Sequence, residues 1–277
     1  GVFPNSEVLK LPVADGGEGT TEALISATQG RYFSTQVMGP MGEVVNASWG
    51  MLGNSKTAVI EVANACGLSL VPLENRNPMI ATSHGVGELI LAAVNEGANH
   101  IIIGLGGSAS NDGGAGLLQA LGVRLLDISG NQLNRGGGSL SSLSSIDPGA
   151  IDSRLQGVSF EVACDVDNPL LGPKGASVVF GSQKGANSKI IVQLEANLTY
   201  YSDIVTSIIK KDVSDIPGSG AAGGIGSAFL AFLNAELKSG INIVLDAMDF
   251  EHHIEDADLV ITGEGCFDSQ SIRGKAE

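Results

Sequence analysis

Apolar positions along this chain fall into two periods. Short apolar runs rich in branched residues occupy 8–13, 33–37, 44–51, 57–62, 101–103, 123–127, 160–164 and 259–262, and each predicts a strand. Helical spacing marks 21–28, 85–93, the residues after 116, 190–209 and 227–233. Gln29-Gly30 supplies a stop for the first helix, and Thr82 and Ser83 are candidate caps for the second. Gly39-Pro-Met-Gly42 and Gly53-Asn54 separate three of the strands by spacings that suit antiparallel pairing. The Gly/Ser-rich stretch 134–153 reads as a surface excursion, mobile or packed along the body, and 243–248 and 252–257 as short elements of either type. What recurs is apolar strand, glycine-and-acid loop, then helix. That order predicts an α/β fold, without a solenoid repeat.

The stretch Ile101-Ile-Ile-Gly-Leu-Gly-Gly-Ser-Ala-Ser-Asn-Asp-Gly-Gly-Ala-Gly116 carries this order most clearly. Its isoleucines suit a buried parallel strand, and its glycines let backbone approach another group closely before a helix begins. Backbone N–H groups at a helix start attract anions, yet Asp112 repels phosphate unless a metal bridges the two. Asp15/Glu18, Asp165/Asp167 and Glu264/Asp268 also stand after predicted strands, whereas the glycine loop 218–226 has no acid. In α/β folds ligands bind outside the carboxyl ends of strands. Converging loops of this kind would make a cleft of carboxylates and free N–H groups. Such a cleft suits Mg²⁺, which takes one or two carboxylates plus phosphate oxygens, and a further acid can accept a hydroxyl proton.

Composition narrows the partners. At 277 residues with 43% hydrophobic and 16% charged content, the chain can bury a substantial core. A net charge of −15 argues against nucleic acid. Cys66, Cys164 and Cys266 lack metal-site spacing and predict reduced thiols in a cytoplasmic protein. No apolar run approaches the ~20 residues of a membrane helix, and the first residues lack a signal pattern. Positive charge is scarce, so Lys184, Arg273 and Lys275, in or beside glycine loops, are the candidates to meet phosphate or a substrate carboxylate. His84, His100 and His252-His253 have no zinc spacing. Neither a Walker sequence nor a Gly-x-Ser-x-Gly elbow is present.

By chemistry, Asp165 is the candidate base or metal ligand, Asp112 the other catalytic carboxylate, and Asp268 with Glu264 would surround substrate or metal. Gly106, Gly107 and Ser108, with Gly220, Gly223 and Gly224, are the candidate nucleotide-phosphate backbones, joined by Lys184. Asp15, Glu18, Asn168, Arg273 and Lys275 are assigned to substrate.

Asp15-Gly-Gly-Glu-Gly19, Gly106-Gly-Ser-Ala-Ser-Asn-Asp-Gly-Gly114, Ala163-Cys-Asp-Val-Asp-Asn-Pro-Leu170, Phe180-Gly-Ser-Gln-Lys-Gly-Ala186 and Thr262-Gly-Glu-Gly265 together resemble the bacterial type-1 glycerate kinases. The resemblance implies ATP- and Mg²⁺-dependent phosphorylation of D-glycerate, usually on the 2-hydroxyl. It also implies a Rossmann-like domain built from both chain ends, 1–31 and 256–277, with 32–255 inserted as a second α/β domain and the active site between them. Family chains begin with a further strand and loop and run well past Lys275, so both ends are expected to be cut. Cys266-Phe267 stands where the family commonly has Arg-Ile. The competing readings are another small-metabolite kinase, a Mg²⁺-dependent phosphatase, or an inactive metabolite-binding protein. A second copy of the chain, forming a homodimer, is the one macromolecular partner expected.

Overall fold

The Ile101–Ile103 run is apolar without alternation because it sits mid-sheet with both faces covered. The computed structural model describes residues 7–12, 14, 17, 19–53, 55–261 and 263. In chain order come α1 (Thr20–Thr28), β1 (Arg31–Met38), β2 (Val44–Met51), β3 (Thr57–Glu61), α2 (Val62–Cys66), α3 (His84–Asn95), β4 (His100–Gly104) and α4 (Ala115–Ala120). Then follow β5 (Arg124–Leu126), β6 (Ser145–Asp147), β7 (Ser159–Ala163), α5 (Ala176–Phe180), α6 (Ser188–Ile209), α7 (Ala221–Phe232), β8 (Glu236–Lys238), α8 (Gly240–Ala247) and α9 (Phe250–Ile254). Among the described residues these build a six-stranded sheet in the order β1-β2-β3-β4-β7-β8, with β5-β6 a separate antiparallel pair. β1, β2 and β3 pair antiparallel as their short connections predict; β3, β4, β7 and β8 are parallel.

The period of two sorts the strand residues between two cores. Ala58, Ile60, Ile101, Ile103, Phe160 and Val162 face the larger core, where they meet Leu89 of α3, Leu117 of α4 and Phe229 of α7. Val59, Ile102 and Ala163 face the other way, onto Leu24 and Ile25 of α1 and Ile243 and Val244 of α8. Each fully buried Leu or Ile contributes about 1.5–3 kcal/mol, so α1 and α8 are held to the sheet chiefly by these few side chains.

Several expectations are corrected. Residues 7–12 form no strand, and neither do 259–261; Val13 and Thr262, the last residues of those two runs, lie outside the described residues. Leu259, Val260 and Ile261 are exposed, and an apolar run without a ladder partner among the described residues is no strand. β8 was not expected: it is three residues long and only Leu237 in it is apolar. The predicted strand at 123–127 shortens to β5 and leaves the main sheet to pair with β6. By contrast, the 134–153 excursion takes the packed of its two expected forms, burying Leu140, Leu143 and Ile146. Of the expected outer domain, α1 is described, and it packs on this sheet.

Candidate active site

The parallel strands β3, β4 and β7 end side by side, with Glu61 in register with Gly104 and Gly104 with Ala163. Loops from these ends define the crevice edge. The N-cap of α1 is Gly19, whose φ of 92° is left-handed and which has no side chain to cap with. The missing cap comes from Glu61: its Oε1 accepts from Thr21 N at 2.8 Å, and the residue is buried. This brings the α1 start over the strand ends, where a Cβ on Gly106 would lie 3.5 Å from Gly17 Cα. Asp165 does the same for α8, from the end of β7. Its Oδ1 accepts from Gly240 N at 2.9 Å and Ser239 Oγ at 3.4 Å, at the start of that helix. Two strand-end acids thus each receive a helix N-terminus, whose partial positive charge favours them.

Asp165 is exposed, as are Asp167 and Gly107, and Gly106 is half-buried. Gly107 has a φ of 68° and its carbonyl accepts from Leu68 N at 2.8 Å, which fixes the turn after β4. Asn168 donates from Nδ2 to Lys174 O at 2.8 Å, while its own carbonyl accepts from Gly220 N at 3.0 Å.

Immediately behind this edge lies a buried polar knot. Asp112 is 0% exposed. Its Oδ2 accepts from Ser83 N and Ser83 Oγ, both at 2.9 Å, and from Gly116 N at 3.2 Å; its Oδ1 accepts from Gly114 N at 3.2 Å. Burial pushes its carboxyl above the usual range despite these four bonds. Ser83 was a candidate cap for α3; instead its hydroxyl links Asp112 to Leu117 N at 3.0 Å. Lys184 is 2% exposed, and its Nζ donates to Ser110 O at 2.6 Å and Ser108 Oγ at 3.0 Å. Burial brings its ammonium down to about 8, with Cys66 and Asp112 pulling the other way.

The glycine loop entering α7 closes the knot. Ala222, Gly223 and Gly224 all have left-handed φ values, and Gly223 O accepts from Gly113 N at 3.0 Å. A Cβ on Gly223 would stand 2.1 Å from Ser110 O and 2.9 Å from Lys184 Nζ; one on Gly224 would stand 2.8 Å from Gly113 Cα. These glycines permit backbone-to-backbone contact inside the protein.

Of the residues assigned from sequence, the structure therefore brings Gly106, Gly107 and Asp165 to the crevice edge, with Asn168 in the turn beyond Asp165. It gathers Asp112, Ser108, Lys184, Gly223 and Gly224 in the knot behind, with Gly220 tied to Asn168. Asp15, Glu18, Glu264, Asp268, Arg273 and Lys275 lie outside the described residues. Glu61 was missed, although Thr57-Ala-Val-Ile-Glu61 has the same strand-then-acid order that singled out the others.

Comparison with known proteins points the same way. The profile of the glycerate kinase family matches residues 1–277. The chain is 57% identical over 274 residues to a glycerate 2-kinase of Escherichia coli and 56% identical to a glycerate kinase of Bacillus subtilis, covering 99% of this chain and 72% of each relative. A crystal structure from Salmonella typhimurium, described as a candidate glycerate kinase 2, superposes with a TM-score of 0.94 at 52% identity, over 98% of this chain and 72% of that one. The chain belongs to the glycerate kinase family.

Proposed function

We propose that this chain transfers the γ-phosphoryl group of ATP to the 2-hydroxyl of D-glycerate, giving 2-phosphoglycerate. The observation that carries the reading is the family match across the whole chain, joined to a relative named glycerate 2-kinase at 57% identity. The crevice geometry supports it. Asp165 offers an exposed carboxylate at a strand end, positioned through Gly240 N, and the backbone at Gly106–Gly107 lies beside the α1 start.

In this reading Asp165 accepts the proton of the attacking hydroxyl or holds the metal. The backbone of 106–108 faces the phosphates, and Gly17 and Gly19, at the α1 start, face the substrate. Among the described residues no group of three or more His, Cys, Asp or Glu is placed to hold a metal. Mg²⁺ needs only one or two carboxylates when nucleotide phosphates complete its shell, and Asp165 meets that requirement. Bound there, Mg²⁺ would neutralise phosphate charge as transfer proceeds. Cys66 and Cys164 are unpaired thiols, which supports a reducing, cytoplasmic setting. Among the described residues, no helix is long and apolar enough to cross a membrane.

The test is ADP formation with ATP and Mg²⁺ against a panel of hydroxy acids, with the product resolved by phosphorus NMR. Turnover requiring D-glycerate and yielding the 2-phosphate is expected. Hydrolysis of phosphate esters without ATP, or binding of glycerate and nucleotide without turnover, would contradict the proposal.

A further inference from the structure

The cation at Lys184 is buried within a loop cluster, away from solvent. The ammonium lies between Ser108 Oγ and Ser110 O, and Gly223 leaves it room. Its backbone is anchored independently. Arg76 donates from Nη1 to Gln183 O at 3.1 Å and from Nη2 to Leu68 O at 3.2 Å, and Leu68 N in turn donates to Gly107 O. Gly185, at φ 92°, is packed so tightly that a Cβ would meet Arg76 O at 2.3 Å. The lysine therefore projects from a fixed turn into the loop that follows β4, with its hydrogen bonds on residues 108 and 110. Gly106 and Gly107, immediately before them, are the accessible end of that loop.

A buried ammonium is a costly way to fill space. Its charge must be removed from water, and among the described residues no carboxylate lies within ion-pair distance to offset that. Asp112 belongs to the same knot but spends its oxygens on Ser83, Gly114 and Gly116. An apolar side chain of similar length would fill the same volume without that cost. What it could not do is fix the Ser108 hydroxyl and the Ser110 carbonyl at defined positions.

We propose that Lys184 is a positioning residue which pins the 106–110 loop from inside the protein and so sets how its backbone meets the nucleotide phosphates. The last clause rests on the kinase reading; the pinning itself does not. Groups facing the ammonium are Cys66 from α2 and Asp112 from the loop after β4, while the 220–226 loop presents backbone. Cys66 is held as the neutral thiol by burial. Loss of the lysine's proton thus removes the knot's positive charge.

The experiment compares Lys184→Met with wild type in three readouts. Amide hydrogen exchange should quicken at least tenfold at 107–110 while the amides of β4 stay protected. An unfolding midpoint no lower than wild type should accompany this. With turnover established, KM for ATP should rise at least tenfold with kcat changed less. Unchanged exchange at 107–110 would overturn the pinning. Quickened exchange with unchanged KM for ATP would overturn the nucleotide role alone, and absence of turnover in wild type would count against the kinase reading instead. Should Lys184→Met fail to fold, Lys184→Gln, which still donates to one oxygen, takes its place. Failure of both would show a folding role and overturn the proposal.

Discussion

Asp165 stands two residues beyond β7 and Asp112 eight beyond β4, in loops leaving the same edge of the same sheet. Asp165 is exposed and caps α8 from the crevice side. Asp112 has no exposed surface and is surrounded by four donors. The difference arises from what packs over each loop. Gly113 and Gly114 let α4 turn back under Tyr201 and Ala228, and Gly223 and Gly224 then pack on the backbone on either side of Asp112. Nothing among the described residues covers Asp165 in that way. A carboxylate after a strand can therefore organise either a site or the scaffold behind it, and the distinction is made by contacts more than 25 residues away in sequence, such as Ser83 and Gly223.

If Asp112 belongs to the scaffold, removing it should damage folding before chemistry. Asp112→Ala leaves the donors of Ser83, Gly114 and Gly116 buried and unpaired, and should destabilise by about 4 kcal/mol, since each such group costs about 1–3 kcal/mol. Urea unfolding measures it; a loss below about 1 kcal/mol would erase the contrast with Asp165. Gly223→Ala should cost about 3 kcal/mol, from overpacking against Ser110 O together with a left-handed φ. That loss should appear in the same unfolding assay, and a variant as stable as wild type would show that the close approach is not needed.

The knot also predicts a pH dependence. Lys184 has its ammonium near 8 when folded against an unfolded value of about 10.4, so the unfolded chain binds more protons between those values. The lysine's contribution to stability is therefore unfavourable below about pH 8 and is relieved as pH rises towards 10.4. The stability difference between Lys184→Met and wild type should shrink across that window, by about 3 kcal/mol. A difference independent of pH would mean the lysine is not buried as a cation. The smallest effect should come from within the strands, where Glu161 of β7 pairs with His100 at 3.5 Å and with Lys238. These side chains are partly exposed, so Glu161→Gln should change stability by less than about 1 kcal/mol.

The strand-loop-helix order was legible because it depends on local period and on glycine. The residues 44–51, 57–62 and 160–164 and the long α6 follow from their patterns almost unchanged. β8 was not, because three residues with charged ends have no period to read. Leu259–Ile261 had the pattern without the partner. Within the site, sequence marked the acids and the glycines, but not which of them face water. Sequence offered Lys184 as a cation for phosphate, but its burial depends on Ser108, Ser110 and Gly223 from distant loops, which no local pattern shows. Glu61 was readable by the strand-then-acid rule and overlooked because no glycine follows it.

The central claim is that Asp165 belongs to the chemistry and Asp112 to the frame. Asp165→Asn keeps a carbonyl oxygen for Gly240 N, so the α8 cap survives while the charge is lost. The deciding measurement is kcat for ADP formation at saturating ATP, glycerate and Mg²⁺, taken together with the unfolding midpoint of the same preparation. The account predicts a fall of at least about 10²-fold, the scale of a lost general base, with the midpoint within a few degrees of wild type. Near-wild-type turnover by Asp165→Asn would contradict it.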